Sequence, residues 1–327
     1  TGKSIVIVHP TVGRWGGRVR GPRRMCQACF GLSMATQGLM DEPYSVLLSL
    51  KSTGGVGPEA VRVSLGGDHQ RRAHKDDEQI LKSWAEARSS RPELAGLQGP
   101  LFRLANAGIA EGSGTVELSL GLTSYDEYMV TNREDGSRRE VLSRDGERDH
   151  SDHDAYLSNA LGCEALMITS DQKAVLLWRT GADLVTPLRF ASSQKGRFGG
   201  PSALPDPRRG GLAEASEAGA GAQSQAAQEL FDAVARAVSE STGVPSAQLE
   251  SPRLVGCIRD SRYRKPELLF VVRASVDAAT VRARYAEALG ESGEDNLDFW
   301  PVDAMEACPL PLTCTLRAAV ACLPTAA

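Results

Sequence analysis

Alternating apolar and polar residues predict β-strands in the first half of the chain, beginning near Tyr44. The stretches YSVLLSL, AVRVSL, PLFRLA and TVELSLGL are predicted strands. Helical spacing replaces this pattern in DDEQILKSWAEARSS, where Ile80, Leu81 and Trp84 form one apolar stripe. The segment SYDEYMVTN is a short predicted helix that Ser124 can cap. Residues 40–160 are therefore predicted to form a small α+β domain.

In the second half of the chain, strand-like alternation and helical spacing both recur, but in a different order along the sequence. A hairpin is predicted where Ser170-Asp171-Gln172 separates two apolar runs, and RLVGCIRD, PELLFVVRAS and LDFWPV are predicted strands. Helices are predicted in QELFDAVARAVSESTGV, in DAATVRARYAEALG after Asp277, and in LTCTLRAAVACL. Residues 161–324 are predicted to form a second domain. A flexible insertion, rich in Pro, Gly, Ala and Ser, is expected at 201–224.

A charged stretch, REDGSRREVLSRDGERDHSDHD, occupies residues 133–154. Small acidic residues favour turns and solvent, so we predict a solvated loop. The alternative is a metal site, for which the candidate ligands are His150, His153, Asp149, Asp152 and Asp154.

Residues 1–39 form a basic leader that contains lysine and arginine but no acidic residue. This composition is typical of organelle transit segments, and the alternatives are a disordered extension or an untranslated one. We expect a cytoplasmic protein, or a mitochondrial or plastid protein if the leader is a transit segment.

Overall charge and cysteine content exclude several classes of function. The net charge of -4 and the pI of about 5.8 do not favour nucleic-acid binding through phosphate contacts. No apolar run is long enough to span a membrane, so no membrane partner is expected. The 7 cysteines are an odd number in a long chain, which indicates free thiols in a reducing compartment.

The segment QELFDAVARAVSESTGV, residues 228–244, is the main candidate for chemistry. Its apolar residues share one helical stripe, and Gly243 suits the end of a helix. Arg236 and Glu240 are four residues apart on the polar face. From the helix alone, the favoured interpretation is a surface ion pair worth a few tenths of a kcal/mol.

This helix resembles the sequence box of the Nudix hydrolases, G-x5-E-x7-R-E-U-x-E-E-x-G-U, where U is aliphatic. The matching residues are Arg236, Val238, Glu240, Gly243 and Val244, whereas Gln228, Ala237 and Ser241 replace the three other glutamates. Positions 237, 240 and 241 lie on one helical face, where three carboxylates can hold magnesium on a diphosphate. Glu229 is about 16 Å from Glu240 along a helix axis and so cannot share its metal.

Most of the chain resembles one branch of this family, the Nudix-type UDP-glucose/UDP-galactose diphosphatases of animals and plants. The most specific segment is LGLTSYDEYMVTN, Leu120 to Asn132, and DEQILKSWAEA, FGGP, QELF and RLVGCIRD add to it in order. The resemblance implies an α+β fold, a Nudix α/β/α sandwich with a mixed sheet, preceded by a smaller α+β N-terminal domain. It also implies magnesium-dependent hydrolysis of UDP-hexoses, with manganese as an alternative metal. The expected partner is a small nucleotide sugar.

The resemblance further implies roles for particular residues. Glu240 would be a catalytic metal ligand and Arg236 its orienting partner, and strand placement makes Glu267 a candidate second metal ligand. Contacts with the nucleotide, the diphosphate or the metal are expected from Phe102, Arg103, Tyr125, Thr131, Asn132, Gly199 and Gly200. Packing is the alternative for Phe102, and helix capping is the alternative for Thr131 and Asn132.

The incomplete box leaves three functions open. The first is an active UDP-sugar diphosphatase. The second is a Nudix-fold protein that binds UDP-sugar or another nucleotide without cleaving it. The third is a structural subunit of an organelle assembly.

Overall fold

The computed structural model describes residues 44–89, 100–133, 136–178, 198–199, 202–203, 205, 207, 220–289 and 296–323. The basic leader and most of the predicted insertion lie outside these ranges. The described strands are β1 (Tyr44–Ser49), β2 (Val61–Leu65), β3 (Pro100–Ile109), β4 (Val116–Ser124), β5 (Gly162–Ile168), β6 (Lys173–Trp178), β7 (Phe198–Gly199), β8 (Ser202–Ala203), β9 (Arg253–Asp260), β10 (Pro266–Arg273) and β11 (Leu297–Pro301). The described α-helices are α1 (Asp77–Ser89), α2 (Tyr125–Tyr128), α3 (Gly136–His150), α4 (Ala220–Thr242), α5 (Ala278–Leu289) and α6 (Cys314–Ala321).

The larger sheet is mixed, as predicted. Its order is β1-β9-β10-β5-β6-β11, with β7 paired to β6 and β8 paired to β5. The central pair β10–β5 is parallel, whereas β9–β10, β1–β9 and β6–β11 are antiparallel. The β5–β6 connection is the predicted hairpin, and Gln172 has a φ of 57° in its turn.

Helices pack on both faces of this sheet. Successive residues of β10 point to opposite faces, so Leu268 and Phe270 pack with α4 while Leu269 and Val271 pack with α6. The Phe231 ring of α4 meets the Phe270 ring edge-on, with 5.1 Å between centroids. The result is the predicted mixed sheet between helical layers.

A second sheet, of order β2-β4-β3, contacts α4 through β2 and joins the same core. In addition, β1 from the first half of the chain pairs with β9, with Tyr44 opposite Asp260 and Ser49 opposite Gly256. The two predicted segments thus share a sheet and a core. The division into domains 40–160 and 161–324 stays a prediction.

The predicted short helix at SYDEYMVTN is confirmed, and it continues into an unusual turn. Ser124 and Glu127 form a capping box at the start of α2, with Ser124 Oγ accepting from the Glu127 amide. The chain then forms a π-helical turn over Met129–Arg133, of which Met129–Asn132 are buried. Such turns are frequent at functional sites.

The prediction of a solvated loop over residues 133–154 is wrong for most of that stretch, because α3 spans Gly136–His150. The helix forms because Leu142 is buried with Tyr156 and Leu157, and Asp145 accepts from His74 Nε2 at 3.3 Å. An amphipathic helix is usually held by an apolar stripe, whereas α3 is held by one buried leucine and a long-range hydrogen bond. Nor do the described residues contain any group of three or more His, Cys, Asp and Glu side chains that could hold a metal ion.

The predicted start of one helix and the predicted end of another are also observed. The Thr280 amide donates to Asp277 Oδ1 at 2.8 Å before α5, and Gly243 has a φ of 71° after α4. In the described part of the chain, no helix combines the length and apolar character that a membrane crossing requires.

Candidate functional site

The helix α4 carries the box-like sequence and exposes little of it. Ala237, Val238 and Thr242 are buried against the core, and Glu240 is exposed. Ala237, which replaces a box glutamate, is only 5% exposed and packs in the core. A carboxylate there would have to leave the packed interface. Glu240 is thus the one acid among positions 237, 240 and 241.

Arg236 pairs with Glu229 rather than with Glu240, which corrects the predicted i,i+4 pair. Its Nη2 donates to Glu229 Oε1 at 2.7 Å, across two turns of the helix. Helical side chains lean toward the N-terminus, so Arg236 reaches back along α4. The Glu229 side chain is 8% exposed and therefore favours a charged partner.

The fold places Glu267 on the opposite side of the larger sheet from α4, which carries Glu240. The alternation of β10 places Glu267 on the α6 side of the sheet, opposite to α4. Its carboxylate forms an ion pair with Lys265, and both groups lie over Gly162, where a Cβ would collide with them. Burial raises the pKa of Glu267, and the Lys265 charge partly offsets this rise. The proposed role of Glu267 as a metal ligand stays a prediction without a supporting contact.

The predicted glycine doublet is only partly described. Gly199 is in β7 opposite Leu177, and Gly200 lies outside the described residues. Three residues after Gly199, the strand β8 pairs with β5, with Ala203 opposite Cys163. The helix α4 contacts β8. The described contact with α4 is therefore made by β8, three residues beyond Gly199.

Phe102 and Tyr125 are core residues in this structure. Phe102 is 0% exposed in the core shared by α4 and both sheets. Tyr125 is 2% exposed and packs with Ile80 and Trp84. For Phe102, the packing alternative describes the observed contacts, and a direct contact with a base would require it to become exposed.

Arg103 is buried, and each of its three guanidinium nitrogens donates to a backbone carbonyl. Nε, Nη1 and Nη2 donate to Leu157, His69 and Asp154 at 3.2, 2.9 and 2.8 Å. Burial is the largest effect on its pKa and lowers it. In this structure Arg103 ties β3 to two loops, and its predicted contact with a diphosphate has no support in these contacts.

Thr131 and Asn132 belong to a buried polar network that the sequence patterns did not reveal. Thr131 Oγ1 accepts from the Ser158 amide at 3.0 Å, and Asn132 Oδ1 accepts from the Asn159 amide at 3.1 Å. Asn132 Nδ2 also donates to the Tyr263 carbonyl at 2.9 Å. These bonds join the π-helical turn to the loop before β5 and to the β9–β10 turn.

Asn159 is a second residue that sequence reasoning missed. It is fully buried with a positive φ of 46°, and its Nδ2 has no hydrogen-bond partner among the described residues. Non-glycine residues with positive φ are uncommon and include asparagine disproportionately. The only advance signal was its place in the segment DAYLSNALG, because no periodicity marks such a position.

The described residues provide one exposed box carboxylate, Glu240, and an Arg236–Glu229 ion pair in which the Glu229 side chain is 8% exposed and the Arg236 side chain 29% exposed. Magnesium is commonly held by one or two carboxylates, water and substrate phosphates. Glu240 fits that minimal role, although the described residues contain no group of three metal-binding side chains. The chemistry that this set can serve is binding of a phosphate-bearing ligand.

Comparison with known proteins gives relatives over most of the chain, although no protein-family model matches it. The uridine diphosphate glucose pyrophosphatase NUDT22 of Homo sapiens is 29% identical over 269 residues, which cover 80% of this chain and 84% of the relative. Nudix hydrolase 9 of Arabidopsis thaliana is 26% identical over 263 residues, covering 75% and 78%. The solved structure of the MutT protein from Methanosarcina mazei Go1 is 14% identical and covers 49% of this chain and 89% of that chain, with a TM-score of 0.30.

Proposed function

We propose that this chain, a diverged relative of the Nudix hydrolases, hydrolyses the diphosphate of UDP-hexoses such as UDP-glucose and UDP-galactose. One observation carries the proposal: sequence similarity that covers 80% of the chain to a protein named uridine diphosphate glucose pyrophosphatase. The exposed Glu240 on α4 is consistent with it, because the helix keeps one box carboxylate at its surface.

The proposed reaction splits one phosphorus–oxygen bond of the diphosphate. The oxygen of water bonds to one phosphorus while the bridging oxygen leaves with the other phosphate. The products are UMP and hexose 1-phosphate, and the protons of water pass to solvent or to the products. Magnesium, when bound, would neutralise charge on the diphosphate. Glu240 is the described residue that would hold it.

The test is an assay of the purified protein with UDP-glucose and magnesium that follows UMP release. Glu240→Gln is expected to lower kcat by about 100-fold or more, since removing a metal ligand costs at least as much as removing its outer-shell support. Asp232→Asn is the matched control, because Asp232 is an exposed acid of the same helix whose described bond is to Gln228. Equal rates for Glu240→Gln and the wild type would place the metal elsewhere.

A second candidate is a protein that binds UDP-sugar without cleaving it. The observation in its favour is the buried Ala237, which leaves position 237 without a carboxylate and in the packed core. Binding of UDP-glucose with no UMP release in the same preparation would support this candidate and reject hydrolysis.

A further inference from the structure

A cleft of about 830 Å³ opens on the α6 side of the larger sheet, away from α4. Its floor is apolar and belongs to the same core as α6; the floor residues are Ile168, Val302, Val320 and Leu323. Charged side chains surround this floor, and they are Lys51, Asp171, Lys173, Arg273, Asp303 and Glu306. An apolar centre within a polar rim is the arrangement found at recognition surfaces and ligand sites.

The topology of the sheet spreads the cleft along one edge, from β1 to β11. Neighbouring strands contribute cleft residues at this edge, namely Arg273 of β10, Ile168 of β5, Lys173 of β6 and Pro301 of β11. Lys51 follows β1 at one end of the strand order, and the 3-10 helix Val302–Ala307 follows β11 at the other. Adjacent strands lie about 4.8 Å apart, so five spacings separate the two ends of the cleft by roughly 24 Å.

The cleft carries opposite charges at its two ends. Lys51 and Arg273 are exposed on the β1–β10 side, whereas Asp303 and Glu306 are exposed on the 3-10 helix beyond β11. Within the described part of the chain, Lys51, Asp303 and Glu306 form no ion pair. Arg273 only donates to the neutral Gln172 Oε1, at 3.5 Å. All four charges are therefore open to a ligand.

The two charged residues between these ends neutralise each other. Lys173 Nζ lies 2.9 Å from Asp171 Oδ2, and Asp171 Oδ1 accepts from Thr169 Oγ1 at 2.6 Å and from the Ala278 amide at 2.9 Å. These bonds tie the carboxylate to the β5–β6 turn and to the start of α5. The middle of the cleft is thus a neutral part of the framework.

We propose that this cleft binds an extended peptide segment of a partner protein, with acidic residues beside Lys51 and Arg273 and basic residues beside Asp303 and Glu306. An extended chain rises about 3.3 Å per residue, so about seven residues reach from one charged end to the other. A compact ligand contacts one end alone. The opposite charges fix the direction of the peptide, because a reversed chain brings like charges together. The site is separate from Glu240 and goes beyond the proposed hydrolysis.

The experiment uses the purified full chain and a positional-scanning library of peptides of about seven residues, with binding followed by fluorescence polarisation. Each position is fixed in turn while the others vary. We expect selection of acidic residues at one end of the peptide and of basic residues at the other. A library that does not bind, or that shows no charge selection at its ends, would overturn the proposal.

Charge reversal at one end assigns the selection to the cleft. Lys51→Glu combined with Arg273→Glu should exchange the acidic preference for a basic one and leave the other end of the peptide unchanged. Peptides selected by the wild type should bind this variant about tenfold more weakly or worse. Both side chains are exposed, so the melting temperature should stay at the wild-type value. Unchanged selection by the reversed protein would contradict the assignment.

The other end of the cleft gives an independent variant. Asp303→Lys combined with Glu306→Lys should exchange the basic preference for an acidic one. The matched control for the first pair is Arg62→Glu combined with Lys82→Glu, which changes the net charge equally at exposed positions outside the cleft. The control should keep the wild-type selection. A control that alters selection as the Lys51 and Arg273 reversal does would show a general charge effect and overturn the site.

Discussion

At positions 237 and 241 of α4, alanine and serine replace two of the three carboxylates that the Nudix box places on one helical face. Ala237 is buried in the core, whereas Ser241 is partly exposed beside Glu240. A glutamate at 237 would need either to bury its charge or to displace packed neighbours. A glutamate at 241 would meet solvent and lie one residue from Glu240. The two replacements are therefore not equivalent.

Restoring one acid at a time should expose this difference. Ser241→Glu is expected to keep the wild-type melting temperature and to raise the rate of UMP release, because it adds a second carboxylate to the proposed magnesium site. Ala237→Glu is expected to cost about 2 kcal/mol or more in free energy of unfolding, as a charge enters a packed interface. The measurements are thermal melts and the UDP-glucose assay. A stable Ala237→Glu protein would show that this position has room for a carboxylate.

At the scale of elements, α4 packs against strands of both sheets. Its buried residues share one core with β10 of the larger sheet and with β2 of the second sheet. Phe231 is 2% exposed and meets Phe270 edge-on. The same helix presents Glu240 and Arg236 from its polar side, so its packing sets where those groups lie.

Loss of the Phe231 ring should therefore reduce stability strongly. Phe231→Ala is expected to lower the free energy of unfolding by about 3–5 kcal/mol, because a large buried side chain is removed and a cavity remains. Gln228→Ala, an exposed position one turn earlier, serves as the control and should change it by less than about 0.5 kcal/mol. Urea unfolding measures both. Similar midpoints for the two variants would contradict the packing described for α4.

At the scale of the whole molecule, the first and second halves of the chain are joined in two ways. The strand β1 pairs with β9 in the larger sheet, and β2 and β4 contribute to the core that contains α4. Two segments that share backbone hydrogen bonds and a core should unfold together.

This sharing predicts one cooperative unit for the described halves. Val63→Ala, a change in β2 at a fully buried side chain, should lower the hydrogen-exchange protection of β9 and β10 as much as that of β2 itself. Exchange followed by mass spectrometry of the fragments measures this. Protection lost in β2 alone would instead support independent domains divided near residue 160.

Local patterns were sufficient for the type of most elements, α3 being an exception. Alternation and helical spacing located β3, β4, α1, α4 and the β5–β6 hairpin, and turn chemistry located Ser124, Asp277 and Gly243. The charged helix α3 was missed because its one buried leucine and its His74 contact depend on distant parts of the chain. A pattern within the segment carries no information about such partners.

By itself, the sequence determined the mixed arrangement of strands and helices and the resemblance of α4 to the Nudix box, because periodicity and motif spacing are properties of neighbouring residues. Only the tertiary structure decided that Arg236 bonds to Glu229, that Glu267 lies on the opposite face from α4, and that Phe102 and Asn132 are buried. Those outcomes depend on strand register and on which surfaces pack together. Burial then selects the partner of each charge, since an unpaired buried group is costly.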